Sequence, residues 1–251
     1  MQKIELIGIK LPMIKKGDDL GKLIIKCAEK EKVGIKNNDI IVVAETIVSK
    51  AEGNLIDLNK VECSEFAKKL ARKINKDPKL VEVILRESEE LVKIGHDFVI
   101  TETHHGFVCA NAGVDESNVK KGFAKPLPKD PDKSAKTIYN KIKKETGKDI
   151  AVIISDTQGR PFRDGGIGVA VGVAGINPLW DRRGEKDLYG RKLKTTKIAV
   201  ADEIASAASM VMGQANEGIP VVIVRGYKFD HLKGDGNAKL LLRKKEYDVF
   251  R

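Results

Sequence analysis

The chain has 251 residues, with 46 Lys or Arg against 36 Asp or Glu, so its formal charge is +10. Hydrophobic residues make up 41% and charged residues 33%, a balance that fits a folded globular protein and excludes a disordered one. No apolar run is long enough to cross a membrane, and the charge-broken N-terminal stretch MQKIELIGIKLPMIKKGDD shows no secretion signal. Three scattered cysteines (Cys27, Cys63 and Cys109) speak against a disulfide scaffold and for a reduced cytoplasm.

In chain order, residues 3–9 read as a strand and LPMIKKGDD as the loop after it, and 19–31 carry apolar residues at helical spacing. The β-branched run Asp39–Ala44 predicts a buried strand. The charged stretch ARKINKDPKLVEVILRESEELVK reads as helical, with Asp77-Pro78 marking a helix start. Within it Glu87 falls on the apolar stripe between Ile84 and Leu91, where an edge-of-core ion pair is the expectation. FVCA is a short strand, and KKGFAKPLPKDPDK, at 120–133, is expected to be a surface loop, with a connection between lobes as the alternative. Asp130-Pro131 starts a helix that should end near Gly147. Residues 149–155 form a buried strand ending at Asp156-Thr157, with Gly159 available for a tight turn. Glycine-rich Gly166–Ile176 predicts a strand with close backbone neighbours. Ala199–Met212 is a helix, Pro220–Gly226 a strand, and the tail is polar and weakly helical. Alternating helices and strands, without a repeat or linker, predict one mixed α/β (α+β) domain over residues 1–251. Mixed sheets flanked by helices are expected, and the length allows one large body or two interleaved lobes.

The positive excess favours anionic partners. Lysines alternate with glutamates as on a solvated helix face, and aromatic residues are only 5%, which leaves little for base stacking. A small anionic ligand is therefore expected, rather than nucleic acid or a membrane. Generic motifs do not identify it. Gly213 and Gly218 have phosphate-loop separation, but Ile219 follows where lysine is needed. His104-His105 would point to opposite faces of a strand and make a poor metal pair.

Three polar segments close apolar strands or helices: NAGVDESN at 111–118, ISDTQGRPFR at 154–163 and MGQANEGIP at 212–220. Strand ends are where α/β proteins place ligand contacts. Asp115, Asp156, Thr157 and Gln214 are an oxygen set suited to Mg²⁺ or Mn²⁺, if the fold brings them together. Each also has a plainer role open to it: a helix cap for Asp115, a turn for Asp156, a helix end for Gln214.

With LPMI at 11–14, ETIVSKAEG at 45–53, ILRESEE at 84–90, VCANAGVDESNV at 108–119, the SDTQGRPFR block, KDLYGR at 186–191 and ADEIASAASMVMGQANEGIPVVIVRG at 201–226, the chain resembles the coenzyme F420 γ-glutamyl ligases. That resemblance implies a GTP-dependent acid–amino-acid ligase. It adds L-glutamate to F420-0, then a second glutamate through a γ-linkage to F420-1, by way of an acyl phosphate. It also implies two divalent ions per site, K⁺ as a monovalent activator, a homodimer and a cytoplasmic location.

Residue by residue, Asp115 and Asp156 are expected at one metal, and Thr157 and Gln214 at a second, where the neutral carboxamide of Gln214 stands at a position that in other family sequences can be glutamate. Leu11, Pro12, Met13, Ile14, Glu45, Thr46, Lys50, Asn118, Met212, Gly213, Gln214, Ala215, Asn216, Glu217, Gly218 and Ile219 fall where the family contacts GTP. Asp156, Arg160 and Arg163 are the expected catalytic groups, the arginines as planar forks for phosphate or carboxylate. Ion pairing with Asp164 or Asp187 is the structural alternative for those arginines. Trp180, in the charged 177–191 loop, could pack that loop or a flat substrate ring. Two other functions stay open: a metal- and nucleotide-dependent amino-acid ligase with another acceptor, and a nucleic-acid-binding module.

Overall fold

The computed structural model describes residues 3–250. A five-stranded mixed sheet organises the chain. Its strands are β1 (Glu5–Ile9), β2 (Ile40–Ala44), β8 (Ala151–Arg160), β9 (Arg163–Ala174) and β12 (Val221–Arg225), in spatial order β1-β12-β2-β8-β9. The central pair β2 and β8 is parallel and all other neighbours are antiparallel. Helices cover both faces, so the middle strands are apolar throughout rather than alternating. Ile41, Val43, Val152 and Ile154 point to one core with helices α1 (Leu20–Lys30), α2 (Glu45–Glu52) and α5 (Pro131–Thr146). Ile40, Val42, Ala151 and Ile153 point to the other, under α6 (Val200–Met212).

Sequence signals account for the boundaries. Asp19, Ser64, Asp77 and Asp130 each accept a first-turn backbone N–H, and prolines occupy the first helical position after Asp77 and Asp130. Gly147 closes α5 at φ 67°. The glycines of β9 serve the close packing expected of them. A Cβ at Gly168 would lie 2.4 Å from the Ala205 carbonyl oxygen on α6, and one at Gly172 2.4 Å from the Pro131 backbone on α5.

Between α2 and α5 the chain builds a second lobe with its own core of Leu70, Ile74, Val81, Ile84, Val99 and neighbours. It contains α3 (Glu65–Ile74), α4 (Pro78–Arg86), the short pair β3 (Ile56–Asp57) and β7 (Phe123–Ala124), and a meander of β4 (Ser88–Ile94), β5 (Val99–Thr103) and β6 (Val108–Ala110). A minor hairpin, β10 (Trp180–Asp181) with β11 (Lys197–Ile198), completes the strands.

The structure corrects four expectations. The charged stretch from Ala71 breaks at Asn75, φ 50°, and restarts at Pro78 as expected, but α4 stops at Arg86 and SEELVK becomes β4 rather than helix. Glu87 is therefore the C-cap of α4 and not part of a helical stripe. Gly159 makes no turn; β8 runs to Arg160 and the chain reverses at Pro161-Phe162, with Phe162 at φ 60°. Residues 124–128 of the expected surface loop are buried.

Candidate active site

Four chain segments meet at one end of the central sheet because of register. Ala44, the last residue of β2, pairs with Ser155, yet β8 continues with only β9 beside it. Asp156 and Thr157 thus stand past the end of β2, where α2 begins directly at Glu45. Ile9 pairs with Val221, so the loop leaving β1 and the 213–220 loop entering β12 arrive at the same edge. This is the end of a parallel strand pair at which ligands are commonly held.

The second lobe closes the space from the opposite side. After β6, Asn111, Ala112 and Gly113 are all left-handed, with φ of 53°, 56° and 68°. For a buried alanine that conformation is strained, and such strain persists where surrounding structure enforces it. Asn111 accepts the Val99 N–H through its side chain and anchors the bend. The bend delivers Asp115, which exchanges two backbone hydrogen bonds with Lys125, at 3.0 and 2.8 Å. The Asp115 carboxylate is turned onto its own loop by the N–H and hydroxyl of Ser117.

The resulting cavity holds about 380 Å³, a size suited to a small ligand. Its lining includes Leu11–Ile14, Glu45, Thr46, Lys50, Asp115, Asn118, Asp156, Thr157, Met212–Ala215 and Glu217–Ile219. Of the site residues expected from sequence, Asn216, Arg160 and Arg163 are not among them. Arg160 and Arg163 face each other at the tip of the β8–β9 hairpin, where Arg160 donates to the backbone oxygen of Asp164 rather than to a carboxylate. The histidines are occupied elsewhere: His104 faces Glu89 and the Arg86 carbonyl, His105 the carbonyls of Pro128 and Lys129. Trp180 packs its own loop, between Arg182 and His231.

Sequence reading missed Lys125, which also lines the cavity. Its side chain is buried and paired to Glu45 Oε1, while Glu45 Oε2 is buried with no partner. Burial pushes the Glu45 carboxyl up to about 7; the charge of Asp156 adds to this, and Lys125 and Thr46 oppose it. Asp156 is raised too, first by burial and further by Asp115, against Lys125, Gln158 and the Thr157 N–H. Asp115 and Asp156 are therefore near enough to repel. Lys50 is lowered by burial and by Lys125. Glu217 is held low by backbone N–H groups of its own loop, so its charge braces the 213–218 turn.

The donor set fits a divalent cation. Asp115, Asp156, Thr157 and Gln214 offer oxygen only, and a cation would relieve both the desolvation of Asp156 and its repulsion from Asp115. Among the described residues no three of His, Cys, Asp and Glu cluster as a metal site, so carboxylates alone do not make one.

Comparison with known proteins shows the family of the chain. The family model described as F420-0:Gamma-glutamyl ligase matches residues 8–226. A coenzyme F420:L-glutamate ligase of Methanothermobacter thermautotrophicus is 59% identical over 99% of this chain and 99% of its own. The enzyme of that name from Methanocaldococcus jannaschii is 56% identical over 100% of this chain and 98% of its own. One from Archaeoglobus fulgidus is 42% identical over 99% and 97%. With a match across nearly all of its length, the chain belongs to the F420-0:gamma-glutamyl ligase family.

Proposed function

We propose that the protein ligates L-glutamate to F420-0, and then a second glutamate in γ-linkage to F420-1, at the expense of GTP. The supporting observation is the single cavity that gathers Asp115 and Asp156 with the 11–14, 45–50 and 212–219 segments, in a chain so similar to enzymes named for this ligation.

The chemistry asks for such a cavity. A carboxylate oxygen is a poor leaving group, so the acceptor must be activated. Its oxygen bonds to the γ-phosphorus of GTP as the bond to the β,γ-bridging oxygen breaks, and the electron pair leaves with GDP. The glutamate nitrogen then attacks the acyl carbon, phosphate departs with the C–O pair, and the amine proton passes to phosphate or solvent. Phosphoryl transfer gains chiefly from positioning and charge neutralisation. Asp115 and Asp156 would hold one Mg²⁺ or Mn²⁺ and Thr157 and Gln214 a second, with K⁺ as a further activator. Bound divalent ions supply neutralisation of the triphosphate charge. Lys50 offers a point charge to a phosphate, and the Glu217-braced loop fixes the nucleotide's position. Arg160 and Arg163 would act on substrate only from the hairpin tip. The homodimer belongs to this proposal: Phe162, Leu188 and Tyr189 are each more than 90% exposed on projecting loops, the kind of apolar display that a second copy covers. Among the described residues no helix is long and apolar enough to cross a membrane, and the cytoplasm is the proposed location.

The test is incubation with GTP, Mn²⁺, glutamate and F420-0. Mass gains of one and two glutamyl units are expected, with one GDP per bond. Glutamylation of other acceptors while F420-0 stays unmodified would sink the substrate assignment. Asp156→Asn should lower turnover by about a hundredfold or more. Because Asp156 is costly to bury as an anion, this variant should melt no lower than the parent. Full activity in Asp156→Asn would remove Asp156 from the reaction.

A further inference from the structure

Lys125 is the largest of the fully buried side chains, 1% exposed. An ammonium carries three donors, and Glu45 is its only hydrogen-bond partner among the described residues. The far oxygen of Glu45 has none. Both residues line the cavity. A buried ion pair left half satisfied is costly, and an apolar pair of similar volume commonly serves stability as well or better. Stability therefore does not account for this lysine, whereas a ligand in the cavity that completes its hydrogen bonds does.

Its neighbours indicate which ligand group. Of the two cationic side chains lining the cavity, Lys50 stays partly exposed and Lys125 is enclosed. The Lys125 backbone is hydrogen-bonded to Asp115, and its charge is felt by Asp156. It thus shares the cavity with the two carboxylates at which the triphosphate charge would be neutralised.

Resting on the ligase reading above, we propose that Lys125 is a catalytic residue. Its ammonium donates to a non-bridging oxygen of the phosphoryl group while that group passes from nucleotide to acceptor carboxylate. The bond formed joins the acceptor oxygen to phosphorus and the bond broken is that to the bridging oxygen, whose electrons stay with the diphosphate; Lys125 keeps its proton. Glu45 Oε1 orients the ammonium. A charge already fixed in a water-poor site needs no reorganisation as the transition state forms.

The experiment compares the parent with Lys125→Met, reading kcat, KM for GTP and acceptor, equilibrium affinity for GDP with Mn²⁺, and the melting temperature. The expected result is a kcat lower by about 10²–10³-fold, with GDP affinity within about threefold. In Lys125→Ala, added propylammonium should restore part of the rate saturably, which a purely structural role would not allow. The pair Glu45→Gln/Lys125→Gln leaves no uncompensated buried charge, so it reads the same loss against Glu45→Gln alone even if Lys125→Met fails to fold. A folded Lys125→Met that turns over within threefold of the parent overturns this assignment and leaves the ligase reading standing. Equal losses of GDP affinity and kcat, without amine rescue, also overturn it. A parent protein that never consumes GTP overturns the ligase reading and this one with it.

Discussion

Cys109, buried on β6, lines the candidate cavity, and its thiol is pushed up to about 12 by burial and by the charge of Asp156. A thiol that stays protonated does not attack alkylating reagents. In the native protein at pH 8, iodoacetamide should label the half-exposed Cys27 and Cys63 while Cys109 reacts only after unfolding; mass spectrometry of peptides reads the outcome. Asp39 is buried with an ion-pair partner. It is fully enclosed, takes both forks of Arg225 at 2.7 and 2.8 Å, and accepts the Lys36 N–H. Asp39→Ala leaves the Arg225 guanidinium, at the end of interior strand β12, with only the Val33 and Gly34 carbonyls, and should cost about 3 kcal/mol in urea unfolding; a loss below about 1 kcal/mol would show that these carbonyls and solvent suffice. At this scale the polar residues that line the cavity were legible: Asp115, Asp156, Thr157 and Gln214 stand out because acids and amides beside glycines interrupt apolar runs. Lys125 did not stand out, since one lysine among the five of KKGFAKPLPKDPDK carries no mark of burial. Only the apolar partners in FAKPLP hint that this segment turns inward.

Elements were readable where a local signal decides them. Caps at Asp19, Asp77 and Asp130 set helix starts, and β-branched runs set β2 and β12. The failures share one cause. ESEELVK has helix-forming residues, but in the fold it pairs with β5 and loses its helical partners, so tertiary contact outweighs propensity. Asp156 and Thr157 lie inside a strand, not at its end, because β9 keeps pairing with β8 after β2 has stopped. Strand β9 also offers a test of packing. Gly172→Ala would press a methyl against the α5 backbone at Pro131, which is held by Asp132 accepting from Val173 and Ala238 N–H groups. The expected cost is about 1–3 kcal/mol. Gly159→Ala, with nothing within 4 Å, should cost far less. Equal melting temperatures for the two would refute the close approach.

At the scale of the whole molecule the charge of +10 should draw anionic reactants toward the cavity. Raising ionic strength from about 20 to 500 mM should then raise KM for the nucleotide several-fold with little change in kcat; a flat KM would confine the electrostatics to the site itself. Composition, hydrophobic period and caps were enough to establish a folded α/β chain, most of its strands and helices, and the segments able to carry polar chemistry, since those depend on neighbours within a turn or a strand. The convergence of those segments was beyond them. Bringing Asp115 on the second lobe to Asp156 on β8, and burying Lys125 against Glu45, requires strand register and the packing of residues far apart in the chain. Long-range contacts of that kind leave no local periodicity to read, so the fold alone decides which charges are buried together.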